Sequence, residues 1–362
     1  MVEKYTPGIG VCAGSYMLKW DLLNQHIDLN RYHLKPGDKL NVFINLECIM
    51  KNLNRMKNLN SLILNYKQDV VLEIESAILN LVANYKSYFS KDKFDVKLYL
   101  YYTDLLSEED QLMKVYNKHY RSYYKNEYLN NPKFSHMGEL LTETIFPEVE
   151  LIMQYIPNCY FIKSSNFDSS IIPKVIADNT EGFNILISGD VFDTLYMYDA
   201  NFIMIYIKRR FKELKVTSNI DDTLQTIVKD VSPFDLNIFK SEMYYRLLLS
   251  IKGSKTRNIH SAKGFGYIKF MNILKDGIKK GLILNDFKSL NSIIELFPEK
   301  YREDIKMGFQ CTNIDDQYQL LSDVDVDKIM NQIVDKIDIT SIESLNNQRF
   351  FNYPINLNAL LG

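Results

Sequence analysis

Apolar residues along this chain fall into two kinds of pattern. Lys39 to Leu46 (KLNVFINL), Val96 to Tyr102 (VKLYLYY), Asn158 to Ser164 (NCYFIKS), Phe183 to Ser188 (FNILIS) and Ala200 to Lys208 (ANFIMIYIK) are short apolar runs rich in β-branched and aromatic residues. Strands buried on both faces read this way. Between them the spacing turns helical. Gln68 to Tyr88 carries Val71, Leu72, Ile74, Ile78, Leu79, Leu81 and Val82 at helical intervals, and predicts a long amphipathic helix. Helices are also predicted after Glu47, over Glu139 to Ile156, and from Asn166 to Ile172 onward, where Pro173 falls in the first turns and its missing N–H does little harm. Strands alternating with helices predict an α/β fold, a mostly parallel sheet covered on both faces. From about Ile220 the strand pattern stops and helices dominate.

These patterns divide the chain. Residues 1–39 contain two turn-like stretches, Pro7-Gly8-Ile9-Gly10 and Pro36-Gly37-Asp38, and read as an N-terminal extension. A phosphate loop over Gly8 to Gly14 is excluded, because no strand precedes it and no Lys-Ser/Thr pair closes it. Residues 40–215 form the α/β unit, with the boundary near Lys215, and residues 216–362 the helical unit. The end of the chain is polar from Ser341, then apolar at Phe350, Phe351, Leu360 and Leu361, and reads as a docking tail.

Composition narrows the function classes. The chain has 362 residues and a formal net charge of −2, so any nucleic-acid face must come from local clustering of charge. Cys12, Cys48, Cys159 and Cys311 are scattered with no zinc spacing, which suits free thiols in a reducing compartment. No apolar run approaches the ~18 residues of a membrane span, and no signal-peptide pattern opens the chain. The expected setting is intracellular. Abundant Tyr, Asn, Lys and Ile suit an AT-rich genome of viral type, which would place the protein in the host cytoplasm. His26, His33, His119, His136 and His260 occur in no catalytic motif, and no nucleophile elbow is present.

Two stretches carry candidate chemistry. In parallel α/β sheets ligands bind at the carboxyl ends of the strands. Here those ends present Asn45 and Glu47, Asp104, Asp168, and then Asp190 and Asp193. Single aspartates at such positions are also common turn formers and caps. As a set, carboxylates gathered together need cations, and oxygen ligands suit Mg²⁺ or Mn²⁺; two such ions can activate water for phosphodiester hydrolysis. The second stretch is Lys252 to Lys280, centred on Lys263-Gly264-Phe265-Gly266 and followed at once by a helical pattern. A glycine turn feeding a helix allows close backbone approach and presents N–H groups at the positive helix end. Lys252, Lys255, Arg257, Lys263, Lys269, Lys275, Lys279 and Lys280 flank it against a lone Asp276, a setting for phosphodiester contact. Between Ser107 and Asn131, Lys114, Lys118, Arg121 and Lys125 interleave with Tyr116, Tyr120, Tyr123, Tyr124 and Tyr128. That mixture suits single-stranded nucleic acid, and equally a solvated helix with a tyrosine core face.

The run Gly253-Ser254-Lys255-Thr256-Arg257-Asn258-Ile259-His260-Ser261-Ala262-Lys263-Gly264-Phe265-Gly266 resembles the helix–three-turn–helix of the flap endonuclease and phage 5′-nuclease family. The resemblance covers Leu40 to Gly281, about two-thirds of the chain. It implies a PIN-like (Rossmann-like) α/β domain followed by a helical region that grips duplex, flap or branched DNA through Lys255, Arg257, Lys263, Gly264, Phe265, Gly266 and Lys269. It also implies a potassium ion at the turn, and an arch over residues 105–135 that contributes Lys114, Lys118 and Arg121. Asp104, Asp168, Asp190 and Asp193 would be the catalytic acids, holding Mg²⁺ or Mn²⁺ with Glu47. Replication proteins are partners of the kind such a family implies. The acidic motifs are eroded. Asn45 stands where the family has an aspartate, Asn166-Phe167-Asp168-Ser169 keeps one of three acids, and Ser188 to Leu195 keeps two aspartates with one extra residue between them. Ser254 and Arg257 replace acidic positions of the glycine-turn motif. Three readings follow: a DNA-binding protein with weak or absent cleavage, a working 5′–3′ exonuclease or flap endonuclease, and a structural or assembly scaffold, since fold does not fix function.

Overall fold

A computed structural model describes residues 33–46, most of 71–103 and most of 144–333; within these spans residues 72, 73, 76, 77, 80, 90–93, 155, 165–168, 211, 212, 229, 230, 254–261, 263, 281–289 and 320 lie outside the description. The strands are β1 (Lys39–Asn45), β2 (Asp95–Thr103), β3 (Cys159–Ser164), β4 (Phe183–Ser188), β5 (Phe202–Arg210) and β6 (Glu213–Thr217). They make one sheet in the order β3-β2-β1-β4-β5-β6. The first five are parallel, and β6 closes one edge antiparallel to β5. The helices are α1 (81–89), α2 (Phe146–Met153), α3 (Ile172–Asn179), α4 (Ile220–Ile227), α5 (Pro233–Ile238), α6 (Glu242–Lys252), α7 (Tyr267–Lys279), α8 (Leu290–Ile294), α9 (Glu299–Gln310), α10 (Ile314–Gln319) and α11 (Asp323–Met330). The expected mostly parallel α/β sheet with flanking helices, followed by a helical region, is what forms. Among the described residues no helix is long and apolar enough to cross a membrane.

The pleat sorts each central strand between two cores. Leu40, Val42 and Ile44 of β1, with Ile185 and Ile187 of β4, pack against α1 and α2. Phe43, Leu186, Met204 and Tyr206 face the other way, toward Ile172, Val175 and Ile176 of α3 and Ile329 of α11. Both faces are covered, which is why these strands read as continuous apolar runs rather than alternating ones. A third core, built from α4 to α9, reaches back to the sheet through Phe192 and Leu195.

The sequence pattern shows no strand after Lys208 and places a boundary near Lys215, but β6 crosses that point and ends at Thr217. Its residues, ELKVT, are too short and too polar to read as a buried strand. Thr217 pairs with Thr223 at 2.8 Å, tying the strand to α4. β5 begins at Phe202 rather than Ala200, because Asp199 and Asn201 make a turn in which the Asn201 N–H donates to Asp199 Oδ1 at 2.9 Å. The predicted turn at Pro36-Gly37-Asp38 is present, with Gly37 at φ 94° and the Lys35 N–H donating to Asp38 Oδ2 at 2.6 Å.

The opposite edge of the sheet is closed differently. Gln332, just past α11, accepts from the Lys163 N–H at 2.9 Å and donates to the Lys163 carbonyl at 3.2 Å. One side-chain amide thus takes the place of a neighbouring strand at that residue of β3.

Candidate functional site

The chain leaves β1 toward β2 and β3 on one side, whereas β4 and β5 lie on the other. The carboxyl ends of β1 and β4 therefore flank the switch point of the sheet, where crevices form in folds of this kind. Ile44 pairs with Ile187, so the next residues, Asn45 and Ser188, end the two strands side by side. Both are buried. Asp190 and Asp193 follow at once in the loop after β4 and are 1% and 0% exposed.

Hydrogen bonds hold this loop in one shape. Asp193 Oδ2 accepts from Asn45 Nδ2 at 2.7 Å and from Ser188 Oγ at 2.5 Å. Ser188 Oγ in turn accepts from the Asp190 N–H at 3.0 Å. Asp190 Oδ1 accepts from the Phe192 N–H at 2.9 Å, an Asx turn. Downstream, Thr194 bonds the hydroxyl of Tyr245 in α6, and Tyr198 donates to the Phe239 carbonyl. Phe192 and Leu195 are sunk in the helical core while Tyr196 lies in the sheet core. The two carboxylates thus sit in a loop clamped between sheet and helices.

Two lysines extend the site. Ser188 pairs with Tyr206 across β4 and β5, and Lys208 stands two residues further along β5 on the same face. Its ammonium donates to the Thr226 carbonyl of α4 at 2.9 Å. Lys252 ends α6, which Gly253 terminates at φ 62°. The Lys252 ammonium is pushed down to about 8, first by surrounding protein, then by the like charge of Lys208, with Asp190 opposing both. The residue nonetheless keeps exposed surface. Its ammonium is charged at neutral pH.

Of the five expected metal ligands, Asp190 and Asp193 are brought together; Glu47, Asp104 and Asp168 lie outside the described residues. Among the described residues no group of three or more His, Cys, Asp or Glu side chains is placed to hold a metal ion. The described donors fit a divalent ion poorly. One oxygen of Asp193 already receives two hydrogen bonds, the β1 position is a neutral amide that turns its NH₂ group to Asp193, and Asp190 has a lysine within electrostatic reach.

The glycine turn is built as its composition predicts. Gly264 has φ 77°, a left-handed conformation that favours glycine, and Gly266 begins α7. A Cβ at Gly266 would meet nothing within 4 Å, so the outer side of the turn is open. Gly264, Gly266, Ile268 and Lys269 are exposed along it, with Ile268 at 75%. Phe265 points inward, 5% exposed, packed on Phe297 and Tyr301 with ring centroids 5.7 and 4.9 Å away. Its N–H donates to the Ala262 carbonyl at 2.9 Å. Phe265 therefore anchors the turn from inside, and its ring is not a surface contact. Lys269 donates to the Gly264 carbonyl at 3.1 Å. Lys275 is engaged by Asp235 at 2.8 Å. Lys255, Arg257 and Lys263, and the arch residues Lys114, Lys118 and Arg121, lie outside the described residues.

Sequence reasoning did not single out Ser188 or Lys208, nor pair Lys252 with the acids. The strand-end rule that found Asp190 also covers Ser188 and Lys208, since both stand at the ends of apolar runs. Lys252 approaches Asp190 only through tertiary packing and leaves no local signal.

No protein-family model matches the chain, and no curated protein matches it. Solved structures do. The chain is similar to a bacteriophage T5 flap endonuclease in a pseudo-enzyme–product complex with DNA and metal ions, at 15% identity and TM-score 0.49, over 81% of this chain and 97% of that one. A T5 5′-exonuclease with bound zinc aligns at 14% identity and TM-score 0.49, over 81% and 98%. The catalytic core of Rad2 in complex with a DNA substrate aligns at 10% identity and TM-score 0.34, over 91% and 82%.

Proposed function

We propose that this protein binds duplex or branched DNA by its phosphate backbone, using the 5′-nuclease architecture, with weak or absent nuclease activity. The observation that carries this reading is the bond from Asn45 to Asp193 at the sheet's switch point. Where the resemblance expects a carboxylate, a neutral amide donates to the acid that remains. That bond satisfies the acid without a cation and lowers the local negative charge that a divalent ion needs. The open, exposed face of the glycine turn, with Lys269 beside Gly264 and Gly266, supports backbone binding.

A second reading, a working Mg²⁺- or Mn²⁺-dependent 5′–3′ exonuclease or flap endonuclease, draws on the two buried aspartates held in a fixed loop. Asp104, Asp168 and Glu47 would then complete the ligand set. When bound, the ions would supply an activated water and stabilise the leaving oxygen. Asp190 and Asp193 would hold them, and the hydrogen bonds from Ser188 and Phe192 would fix the carboxylate directions.

One experiment separates the two readings: binding and cleavage of a 5′-flap and a nicked duplex, in Mg²⁺ and then Mn²⁺, beside Asp190→Ala. Binding that weakens steeply with salt, with no cleavage in either metal, is the expected outcome. Cleavage abolished by Asp190→Ala would establish the second reading. Absence of binding at low salt would remove both and leave the scaffold.

A further inference from the structure

The outer edge of β3 is closed at one residue and buried without a partner further along. The Leu98 N–H of β2 donates to the Asn158 carbonyl at 2.8 Å. Successive residues of a parallel strand turn their backbone groups to opposite sides. Tyr160 and Ile162 therefore also face β2, whereas Cys159, Phe161 and Lys163 face outward. The two Gln332 bonds to Lys163 follow that alternation and bring the later chain to this edge. The Cys159 N–H turns back to the Ile156 carbonyl at 3.3 Å. Phe161 lies between them, and among the described residues no partner meets its N–H or C=O. The residue is nonetheless only 5% exposed. Buried backbone groups are nearly always paired, so this stretch of edge is a surface for a further strand.

We propose that the chain supplies this strand itself: residues 337–342, which lie outside the described residues, add to the β3 edge antiparallel to it. Gln332 already stands at Lys163, and Ile333 packs against the sheet core beside it, so the chain leaves the described residues at the edge in question. The sequence that follows alternates Ile337 and Ile339 with Asp338 and Thr340. A period of two with β-branched residues is the pattern of a strand covered on one face. Lys163 is the last residue but one of β3, so a strand entering there covers Phe161 and Cys159 only by running back along β3. The step from Lys163 to Cys159 is about 13 Å, and residues 337–342 reach about 20 Å when extended. A strand from a second copy is disfavoured, because it would have to displace both Gln332 bonds at Lys163. The added strand removes an edge that would otherwise invite association. This inference goes beyond the nucleic-acid reading and does not depend on it.

The test is hydrogen exchange resolved to single amides, at several protein concentrations. The proteins are the full chain as wild type, Ile339→Asp, Ile337→Asp combined with Ile339→Asp, and Thr340→Asp. The Phe161 amide should exchange about tenfold faster in Ile339→Asp and faster again in the double variant. Thr340→Asp, on the other face of the strand, should leave it unchanged. The Ile162 amide faces β2 and should keep its rate in every variant. Equal Phe161 rates in wild type and the double variant would overturn the proposal. A rise shared equally by Phe161 and Ile162 would also overturn it, since the tail would then contribute only general stability. Equal effects of Thr340→Asp and Ile339→Asp would remove the period of two and the strand with it. Phe161 protection that grows with protein concentration would assign the edge to a second copy instead. DNA binding by the same variants should match wild type, so failure of the strand leaves the nucleic-acid reading standing.

Discussion

The two ends of the sheet are both polar at their centre, and they differ in kind. At the amino end Asn41 donates to Asn184 Oδ1 at 3.1 Å and to Thr180 Oγ1 at 3.3 Å, and accepts from the Tyr99 hydroxyl at 3.4 Å. Asn184 donates on to the Asn201 carbonyl at 3.2 Å. Every partner in this network is neutral and comes from the chain itself. At the carboxyl end the same two strands present Asn45 and Ser188, but the neighbours are Asp190, Asp193, Lys208 and Lys252. A neutral network satisfied internally secures strand register and has no use for a ligand. At the carboxyl end two buried carboxylates are held in a fixed loop by bonds from the neighbouring strand ends, and charge rather than neutral pairing marks the place. The residue types on β1 are nearly the same at both ends, so what separates scaffold from site is the loop after β4 and the helix that meets it.

The largest expected effect comes from adding a carboxylate at the carboxyl end. Asn45→Asp would place a carboxylate where the amide now donates to Asp193 at 2.7 Å. With no divalent ion, a third carboxylate buried beside Asp190 and Asp193 should cost about 3–5 kcal/mol, read as a drop in thermal midpoint in EDTA. Mg²⁺ should restore most of it. A variant as stable as wild type in EDTA would mean that the acids are already balanced by some other charge. An unstable variant indifferent to Mg²⁺ would mean the site cannot take a divalent ion even with the acid restored.

At the amino end the expected loss is smaller and purely structural. Asn41→Ala leaves the Asn184 and Tyr99 partners unsatisfied and should cost about 1–3 kcal/mol, with the DNA binding proposed above unchanged in the folded protein. An affinity change in that variant would break the distinction between the two ends.

The smallest effect lies in the helical region, away from both. Burial raises the Asp235 carboxyl, but bonds from Lys275, Ser232 and Tyr267 outweigh it and hold it below its ordinary value. The stabilisation is therefore complete above the unfolded aspartate pKa of about 3.9, and is lost as pH falls through the lower folded value. Asp235→Asn should flatten stability against pH below about pH 4 and leave it parallel to wild type above. An unchanged acid slope would mean that Asp235 is not a linked group.

The strands were legible wherever burial on both faces made them continuous apolar runs, and β4 was read to the residue. β6 escaped because an edge strand covered on one side needs only one or two apolar positions. The glycine turn was legible from Gly264 and Gly266. Phe265 is expected among the DNA-gripping residues, but Phe297 and Tyr301, which arrive from the α8–α9 region, enclose its ring. Asp190 and Asp193 were legible as strand-end acids. Asn45 was legible as a strand-end residue of the same set, but its bond to Asp193 was not, because a hydrogen bond between residues 148 positions apart leaves no periodicity.

Gln332 gives the sheet a dependence on the order in which the chain is made. The residue that seals the β3 edge lies 169 positions after Lys163, beyond every described helix of the second region. As the chain emerges from the ribosome, all six strands are available to pair well before their outermost edge is closed. Through that interval the N–H and C=O groups of Lys163 face solvent and any neighbouring nascent chain, and exposed edges of this kind invite mispairing. Completion of the helical region therefore ends a period of vulnerability for the sheet.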